Sequence, residues 1–241
     1  MLDWLRRDPR AVPSLAVAGR ELPIVVRRLD RARRMTMRLS PDGSEVRISI
    51  PTWARTAEAL AFARSRHEWL ERQLTALPTK STVAPGATIR FRGEALAIRH
   101  EPAARRRPVV DAGMLLIGGP ETAIEARVRR WLQAEARALL ANDLEHYCAL
   151  AGRPTSSLAL SNAARRWGSC AANGAIRINW RLVMAPDAVR RSVVAHEVAH
   201  LVHFDHSPAF HACLDRMFEG DVAAANTWLK REGRGLYQPF G

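Results

Sequence analysis

The sequence predicts an α+β fold, in which a β-rich N-terminal part is followed by a mainly helical part containing one β-hairpin. Three observations predict it. Short segments of alternating apolar and polar residues recur in the first half, as in residues 46–50. Apolar residues at helical spacing dominate the second half. Between two β-like segments of that half, Asn173-Gly174 is a strong two-residue turn signal, which predicts the hairpin.

The N-terminal part divides into an extension and a β-rich subdomain. Residues 1–20, which include Pro9 and Pro13, predict a flexible N-terminal extension. Residues 21–118 predict a β-rich subdomain with one helix, which runs from Thr52 to about Leu77. β-Branched residues and turn signals predict its strands at residues 22–26, 35–39, 46–50, 88–91, 96–98 and 114–117.

Residues 119–241 predict the helical domain, and Gly118-Gly119-Pro120 marks the boundary before it. A long helix rich in Ala, Glu, Arg and Leu extends from Glu121 to about Leu150. The hairpin follows, with arms at residues 164–170 and 175–180. Three more helices are expected to begin at Pro186-Asp187, Ser207-Pro208 and Asp221.

The net charge of the chain does not by itself distinguish between possible functions. Lysine and arginine number 37 against 24 acidic residues, which gives a net charge of +13. Basic clusters stand at residues 27–28, 31, 33–34 and 105–107, with few aromatic residues among them, unlike a surface on which single-stranded bases stack. We interpret these clusters as solvated loops. A nucleic-acid partner is compatible with the charge but not required by it.

Cysteine content and hydropathy bear on localisation. The N-terminus lacks the apolar segment of a secretory signal, and no apolar run is long enough to span a membrane. Cys148, Cys170 and Cys213 are too few for a disulfide framework, which suits a reducing compartment. We therefore expect a cytoplasmic protein with no membrane partner.

The segment His196-Glu197-Val198-Ala199-His200 carries the clearest chemical pattern. Histidines four residues apart project from one face of a helix, so both can bind one metal ion. Glu197 can then act as general base toward a water molecule activated by the metal. The same five residues also fit a helix with hydrogen-bonded core histidines. A third ligand would favour the metal, because a catalytic zinc ion takes three protein ligands and keeps one position open.

Four nearby residues compete for the third position: His203, Asp205, His206 and His211. His203 would lie about 10 Å along the helix axis from His196, too far to share one ion. Ser207-Pro208 predicts a new helix, which leaves His206 in the elbow between two helices. Asp205 is explained equally well as a turn residue, and His211 stays a candidate on the second helix. We take His206 as the third ligand.

Four motifs in sequence resemble one known family: RWGSC at 166–170, INWRL at 178–182, HEVAH at 196–200 and DHSPAF at 205–210. The chain is similar to the bacterial YgjP-like zinc metallopeptidases, which are more distantly related to the SprT-like proteases. The resemblance implies Zn²⁺ as cofactor, a zincin-like domain over residues 119–241, ligands at His196, His200 and His206, and a catalytic carboxylate at Glu197. Asp205 stands where the family commonly has Asn, a departure that leaves the ligands intact.

A zinc-dependent peptidase is the function that we favour, with a peptide or protein as substrate. Glu197 would take a proton from water and deliver it to the leaving amine. Arg166, Asn179 and His211 are candidate donors to the oxyanion of the substrate. The strand from Trp167 to Cys170 can offer its edge to an extended peptide, although Trp167 is also explained by packing.

Two alternatives remain open at this point. A zinc-dependent hydrolase of nucleoside triphosphates would use basic side chains for the phosphates, with Arg165, Arg166, Arg177 and Arg181 as candidates. A nucleic-acid-associated protein with a structural zinc would close the fourth position, for which Cys170 and Cys213 are candidates.

Overall fold

The computed structural model describes residues 13–40, 43–75, 81–164 and 166–240, and the chain divides into two units, Met1–Thr79 and Lys80–Gly241. The described part of the first unit has one sheet and two helices. Its elements are β1 (Ser14–Val17), β2 (Arg20–Leu29), β3 (Thr36–Leu39), β4 (Val46–Pro51), α1 (Thr56–Ser65) and α2 (His67–Thr75). The strand order is β1-β2-β4-β3, in which β2 and β4 are parallel and the other pairs antiparallel.

One face of this sheet forms the core of the first unit. Ile24, Ile48 and Ile50 alternate with more exposed residues along their strands, as expected when a single face is covered. They belong to the same apolar cluster as Ala59 of α1 and Leu70 of α2. The opposite face and the ends of the strands carry the charged side chains.

The predicted flexible extension over residues 1–20 requires correction. Residues 1–12 lie outside the described residues, but Ser14–Val17 form β1 and pair with β2. Ala18 and Gly19, with φ of 49° and 73°, make the two-residue left-handed turn that joins the two strands. The buried Val17 side chain then holds β1 to the core.

The helix predicted over residues 52–77 is two helices. The first begins only at Thr56, and the helical hydrogen bonding is interrupted at Arg66 between α1 and α2. The hydroxyl of Ser65 donates to the carbonyl of Phe62 at 2.9 Å, a side-chain bond that competes with helix continuation. The predicted end at Leu77 lies outside the described residues.

The second unit contains two sheets and four helices among its described residues. Its strands are β5 (Thr88–Phe91), β6 (Glu94–His100), β7 (Val109–Asp111), β8 (Met114–Ile117), β9 (Leu158–Ser161), β10 (Gly168–Cys170) and β11 (Ile176–Asn179). Its helices are α3 (Ile124–Leu150), α4 (Asp187–Ala199), α5 (Pro208–Met217) and α6 (Val222–Glu232), with short 3-10 turns at Glu121–Ala123, Trp180–Met184 and Gly233–Tyr237.

The division into units falls at residue 79, whereas the sequence placed its boundary at residue 118. The sheet of order β5-β6-β8-β7 accounts for the difference. Its buried side chains, such as Ile98 and Leu115, belong to one apolar cluster with Val128 and Leu132 of α3. Because these strands share the core of the helical part, residues 81–118 fold with it. The fold class is α+β as predicted.

The predicted hairpin is confirmed, and it belongs to a larger sheet. β10 and β11 are antiparallel, but the turn between them is longer than the predicted two residues. The backbone N–H of Ala171 donates to the Ala175 carbonyl, which leaves a three-residue loop in which Gly174 adopts the left-handed conformation (φ 81°). The third strand, β9, pairs in parallel with β11, so the strand order is β10-β11-β9. This places β10 at an edge of the sheet, next to α4.

A buried ion pair joins α4 to α3, and further polar contacts surround it. The Arg190 guanidinium is only 3% exposed, and its Nε lies 2.7 Å from Oδ2 of Asp143 on α3. A second pair joins Arg190 to Asp187 in the first turn of α4. Arg191 reaches Glu219 at 2.7 Å and the Tyr147 hydroxyl at 3.1 Å. These contacts position the helix that carries the histidine motif.

The three cysteines are free thiols. Among the described helices, none combines the length and the apolar character needed to cross a membrane.

Candidate metal centre

Three histidines meet where α4 ends and α5 begins. His196 and His200 stand one turn apart at the end of α4, and the chain then turns so that His206 comes back toward them. Their candidate ligand nitrogens all lie within 4.8 Å of one another. The Nε2 atoms of His196 and His206 are 3.3 Å apart. The structure therefore brings together the three residues proposed as ligands.

The elbow forms as the sequence predicts. Ser207 is the N-cap of α5, where its side chain accepts a hydrogen bond from the backbone N–H of Phe210, and Pro208 occupies the first turn. Before it, the backbone N–H of His203 donates to the Ala199 carbonyl at 2.9 Å as α4 unwinds. This reversal brings His206 within reach of the helix.

Neighbouring groups orient the imidazoles. Nδ1–H of His200 donates to the main-chain carbonyl of His203 at 3.1 Å, which leaves Nε2 of His200 with its lone pair for a metal. Phe210 is fully buried, and its ring centroid lies 4.6–5.0 Å from those of all three histidines. Burial and the charges of the neighbouring histidines lower the pKa of His196 to about 4, which favours the neutral ligand form.

The donor set fits zinc. Neutral imidazole nitrogen is a preferred zinc ligand, and two such nitrogens at about 2.0–2.1 Å from a tetrahedral ion would be roughly 3.3 Å apart. The observed His196–His206 separation matches this value. Among the described residues, no cysteine or carboxylate joins the group, which therefore consists of three imidazoles.

Glu197 is buried against the edge strand of the third sheet. A Cβ atom added at Gly168 would lie 2.6 Å from Cγ of Glu197 and closer still to its carboxylate, so only glycine allows β10 to approach α4 this closely. Burial raises the pKa of Glu197 to about 7, against the opposing effects of the Arg166 guanidinium and the backbone N–H of Cys170.

The proposed substrate-binding residues fall into two groups. Arg166 and His211 are exposed beside the histidines and Glu197. Arg166 acts electrostatically on the Glu197 carboxylate, and the His211 ring centroid lies 6.5 Å from that of His206. Both remain available to a substrate. Trp167 is half-buried and packs on Tyr237, with ring centroids 5.7 Å apart, and against Gly233. These contacts favour the interpretation that Trp167 packs in the fold rather than binds substrate.

The prediction that Asn179 donates to the oxyanion requires a correction, because the Asn179 side chain is fully buried and already hydrogen-bonded. Its Nδ2 donates to the Ala163 carbonyl and to the Tyr237 hydroxyl, both at 2.9 Å, and its Oδ1 accepts from the backbone N–H of Arg181 at 3.1 Å. No donor is left for an oxyanion. Asn179 instead caps the 3-10 turn at Trp180–Met184.

The sequence did not single out Gly168, Phe210 or the His203 carbonyl as parts of the site. Gly168 and Phe210 stand inside the conspicuous motifs at 166–170 and 205–210, but neither has a side chain that suggests chemistry. Their roles depend on close approach between elements, which no spacing rule reveals. The carbonyl of His203 belongs to the backbone and carries no side-chain signal at all.

We expect His200→Ala to weaken zinc binding by at least about 100-fold, since losses of this order already follow when only the partners that orient a ligand are removed. The measurement is zinc affinity by competition with a chromophoric chelator. His146→Ala is the matched control, because His146 is exposed on α3 and lies outside the three-histidine group. Equal zinc affinity in both variants would contradict the ligand assignment.

Comparison with known proteins identifies the family of the chain. The family model described as "YgjP-like, metallopeptidase domain" matches residues 33–232, which include β3 and β4 of the first unit, the hairpin and the three histidines. None of the curated proteins is similar enough to count as a match. The crystal structure of the metallopeptidase zymogen of Pyrococcus abyssi abylysin is 18% identical, with a TM-score of 0.35, over 42% of this chain and 99% of that one.

Proposed function

The chain belongs to the YgjP-like metallopeptidase family, and from this premise we propose that it is a zinc-dependent peptidase. Its metal site would be formed by His196, His200 and His206, with Glu197 as general base. The observation that carries the proposal is a three-imidazole group, with no fourth protein ligand among the described residues, beside a buried carboxylate. This is the composition of a catalytic rather than a structural zinc site.

Each residue has a distinct task in the proposed reaction. Zinc, when bound, lowers the pKa of a water molecule and polarises the substrate carbonyl. Glu197 directly follows His196 on α4, and we propose that its carboxylate accepts the proton of the attacking water and returns it to the leaving amine. Arg166 and His211 are exposed, and we propose that they donate to the developing oxyanion.

We propose that an extended peptide binds along β10. β10 is an edge strand of its sheet, and Gly168 within it packs directly on Glu197. A peptide that adds to this edge by backbone hydrogen bonds would run past the catalytic carboxylate, with little demand on side-chain identity. This geometry favours a peptide substrate.

The structure weakens both alternative functions. For a nucleotide substrate, Arg181 is unsuitable because it is 1% exposed, lies between the rings of Trp180 and Tyr237, and donates to the Phe240 carbonyl. Arg165 lies outside the described residues, which leaves Arg166 and Arg177. For a structural zinc, neither Cys170 nor Cys213 belongs to the histidine group.

The function is tested by incubating the zinc-loaded chain with a mixed peptide pool and, separately, with nucleoside triphosphates, each with and without chelator. We expect cleavage of peptides only, and none after chelation. Turnover of nucleotides alone would replace the peptidase proposal with the phosphoanhydride hydrolase. Turnover of neither pool by zinc-loaded protein would overturn the assignment as a hydrolase of these substrates.

Gly168→Ala is expected to lower kcat/KM by about 100-fold, because the new methyl group displaces the Glu197 carboxylate and misplacement by about 1 Å can cost that much. Zinc content should stay at the wild-type level, since the substitution changes no histidine. The control is Gly235→Ala, where the nearest side-chain atom is 3.8 Å from the added carbon. If Gly168→Ala were as active as this control, close approach to Glu197 would not matter for the reaction.

A further inference from the structure

One end of the sheet in the first unit gathers residues that are scattered in the sequence. β2 and β4 run parallel, with Leu29 opposite Pro51, and β3 begins at this same end because Thr36 pairs with Ser49. The loop after β2 and the turn after β4 therefore lie together. We call this surface the basic end, and it consists of Arg27, Arg28, Leu29, Arg31, Arg33, Arg34, Trp53 and Arg55.

Among the described residues of the first unit, few acidic side chains balance the positive charge of the basic end. The surface carries six arginines, all exposed, whereas residues 27–34 and 51–58 contain only two acidic side chains, Asp30 and Glu58. Across residues 13–40 and 43–75, no ion pair joins any of the six to a carboxylate. Arg28 donates to the neutral hydroxyl of Thr56 at 3.0 Å. An anionic partner would supply the missing negative charge.

The basic end also presents an aromatic ring. Trp53 is 75% exposed, and Leu29, in the same region, is 46% exposed. The arginine cluster at residues 27–34 has no aromatic neighbour in the sequence, but the parallel pairing of β2 and β4 brings Trp53 to it. An exposed indole among guanidinium groups combines the two features of single-strand binding surfaces, namely a stacking platform and phosphate contacts.

We propose that the basic end binds single-stranded nucleic acid, with Trp53 stacked on a base and the arginines in contact with phosphates. A single strand is favoured over a duplex because its bases are free to stack on a side chain. An anionic membrane is a weaker fit, since membrane insertion relies on several apolar side chains on one face, and only Leu29 accompanies Trp53 here. The proposal is independent of the zinc chemistry.

The test measures binding of a labelled oligothymidylate to the full-length chain by fluorescence anisotropy over a range of salt concentrations. The triple variant R31A/R33A/R34A is compared with R105A/R106A/R107A, which removes the same charge from an exposed loop of the other unit. We expect only the first triple to weaken binding strongly, and its slope of log affinity against log salt to shrink by about 2, as three lost phosphate contacts predict. Trp53→Ala should weaken binding about tenfold, and Trp53→Phe should restore most of it.

Three results would overturn the proposal. Equal losses in both triple variants would show that net charge alone attracts the strand. Unchanged binding in Trp53→Ala would remove the stacking role. Binding to phosphatidylserine vesicles but not to the oligonucleotide would assign the basic end to a membrane surface instead. Circular dichroism of each variant confirms that the chain is folded, which is expected because all the substituted side chains are exposed.

Discussion

Glutamine in place of Glu197 is expected to lower kcat/KM for peptide hydrolysis by about 10²- to 10⁴-fold, the range that general acid–base catalysis contributes. The amide has the shape of the carboxylate and fits the same space beside Gly168, but it cannot take a proton from water. Because the three histidines are unchanged, zinc content should equal that of the wild type. The measurement is steady-state cleavage of a peptide found in the mixed pool, with zinc quantified in the same samples.

The matched control for this prediction is Glu145→Gln, which makes the same chemical change at an exposed position on α3. It should retain full activity. If Glu197→Gln also retained wild-type activity with zinc bound, another group would be the base. If it lost zinc, the carboxylate would be needed for the metal site, contrary to the role proposed here.

Asp143→Ala is expected to lower the free energy of unfolding by about 3 kcal/mol. It removes a partner of Arg190, whose guanidinium is 3% exposed, and a buried charge left without its partner typically costs about 3–5 kcal/mol. Asp187 still contacts Arg190 and offsets part of the loss. The measurement is urea-induced unfolding of zinc-loaded protein, followed by far-ultraviolet circular dichroism.

The control for the buried pair is Glu125→Ala, which breaks an exposed pair between Glu125 and Arg129 in the first turns of α3. Such pairs contribute about 0.5 kcal/mol or less. Equal destabilisation by the two substitutions would mean that the Asp143–Arg190 pair does not anchor α4. A large loss in Asp143→Ala alone would identify it as the contact that holds the histidine helix in place.

The residues that meet at the metal centre could be predicted because the sequence patterns that place them involve only nearby residues. A spacing of four residues fixes the faces of His196 and His200, and the Ser207-Pro208 helix start is enough to place His206 in an elbow. Each inference uses only neighbours in the chain. The hairpin was predictable for the same reason, from its Asn173-Gly174 turn.

Features that depend on tertiary contacts could not be predicted in this way. The Ala18-Gly19 turn lacks the Asn or Asp that usually marks such hairpins, so β1 was missed. In the sequence, residues 81–118 continue the β-rich pattern of the first unit. In the structure, their apolar side chains share a core with α3. Asn179 carries a side chain suited to an oxyanion, and only the position of Tyr237, far away in the sequence, shows that it is buried and already bonded.

The most direct test of the account follows one cleaved peptide by mass spectrometry while zinc is removed from the wild-type chain and then restored to the same sample. We predict that cleavage stops on chelation and returns to its original rate with about one equivalent of zinc per chain. Cleavage that continues in fully zinc-depleted protein would contradict the proposal that His196, His200 and His206 hold the catalytic metal.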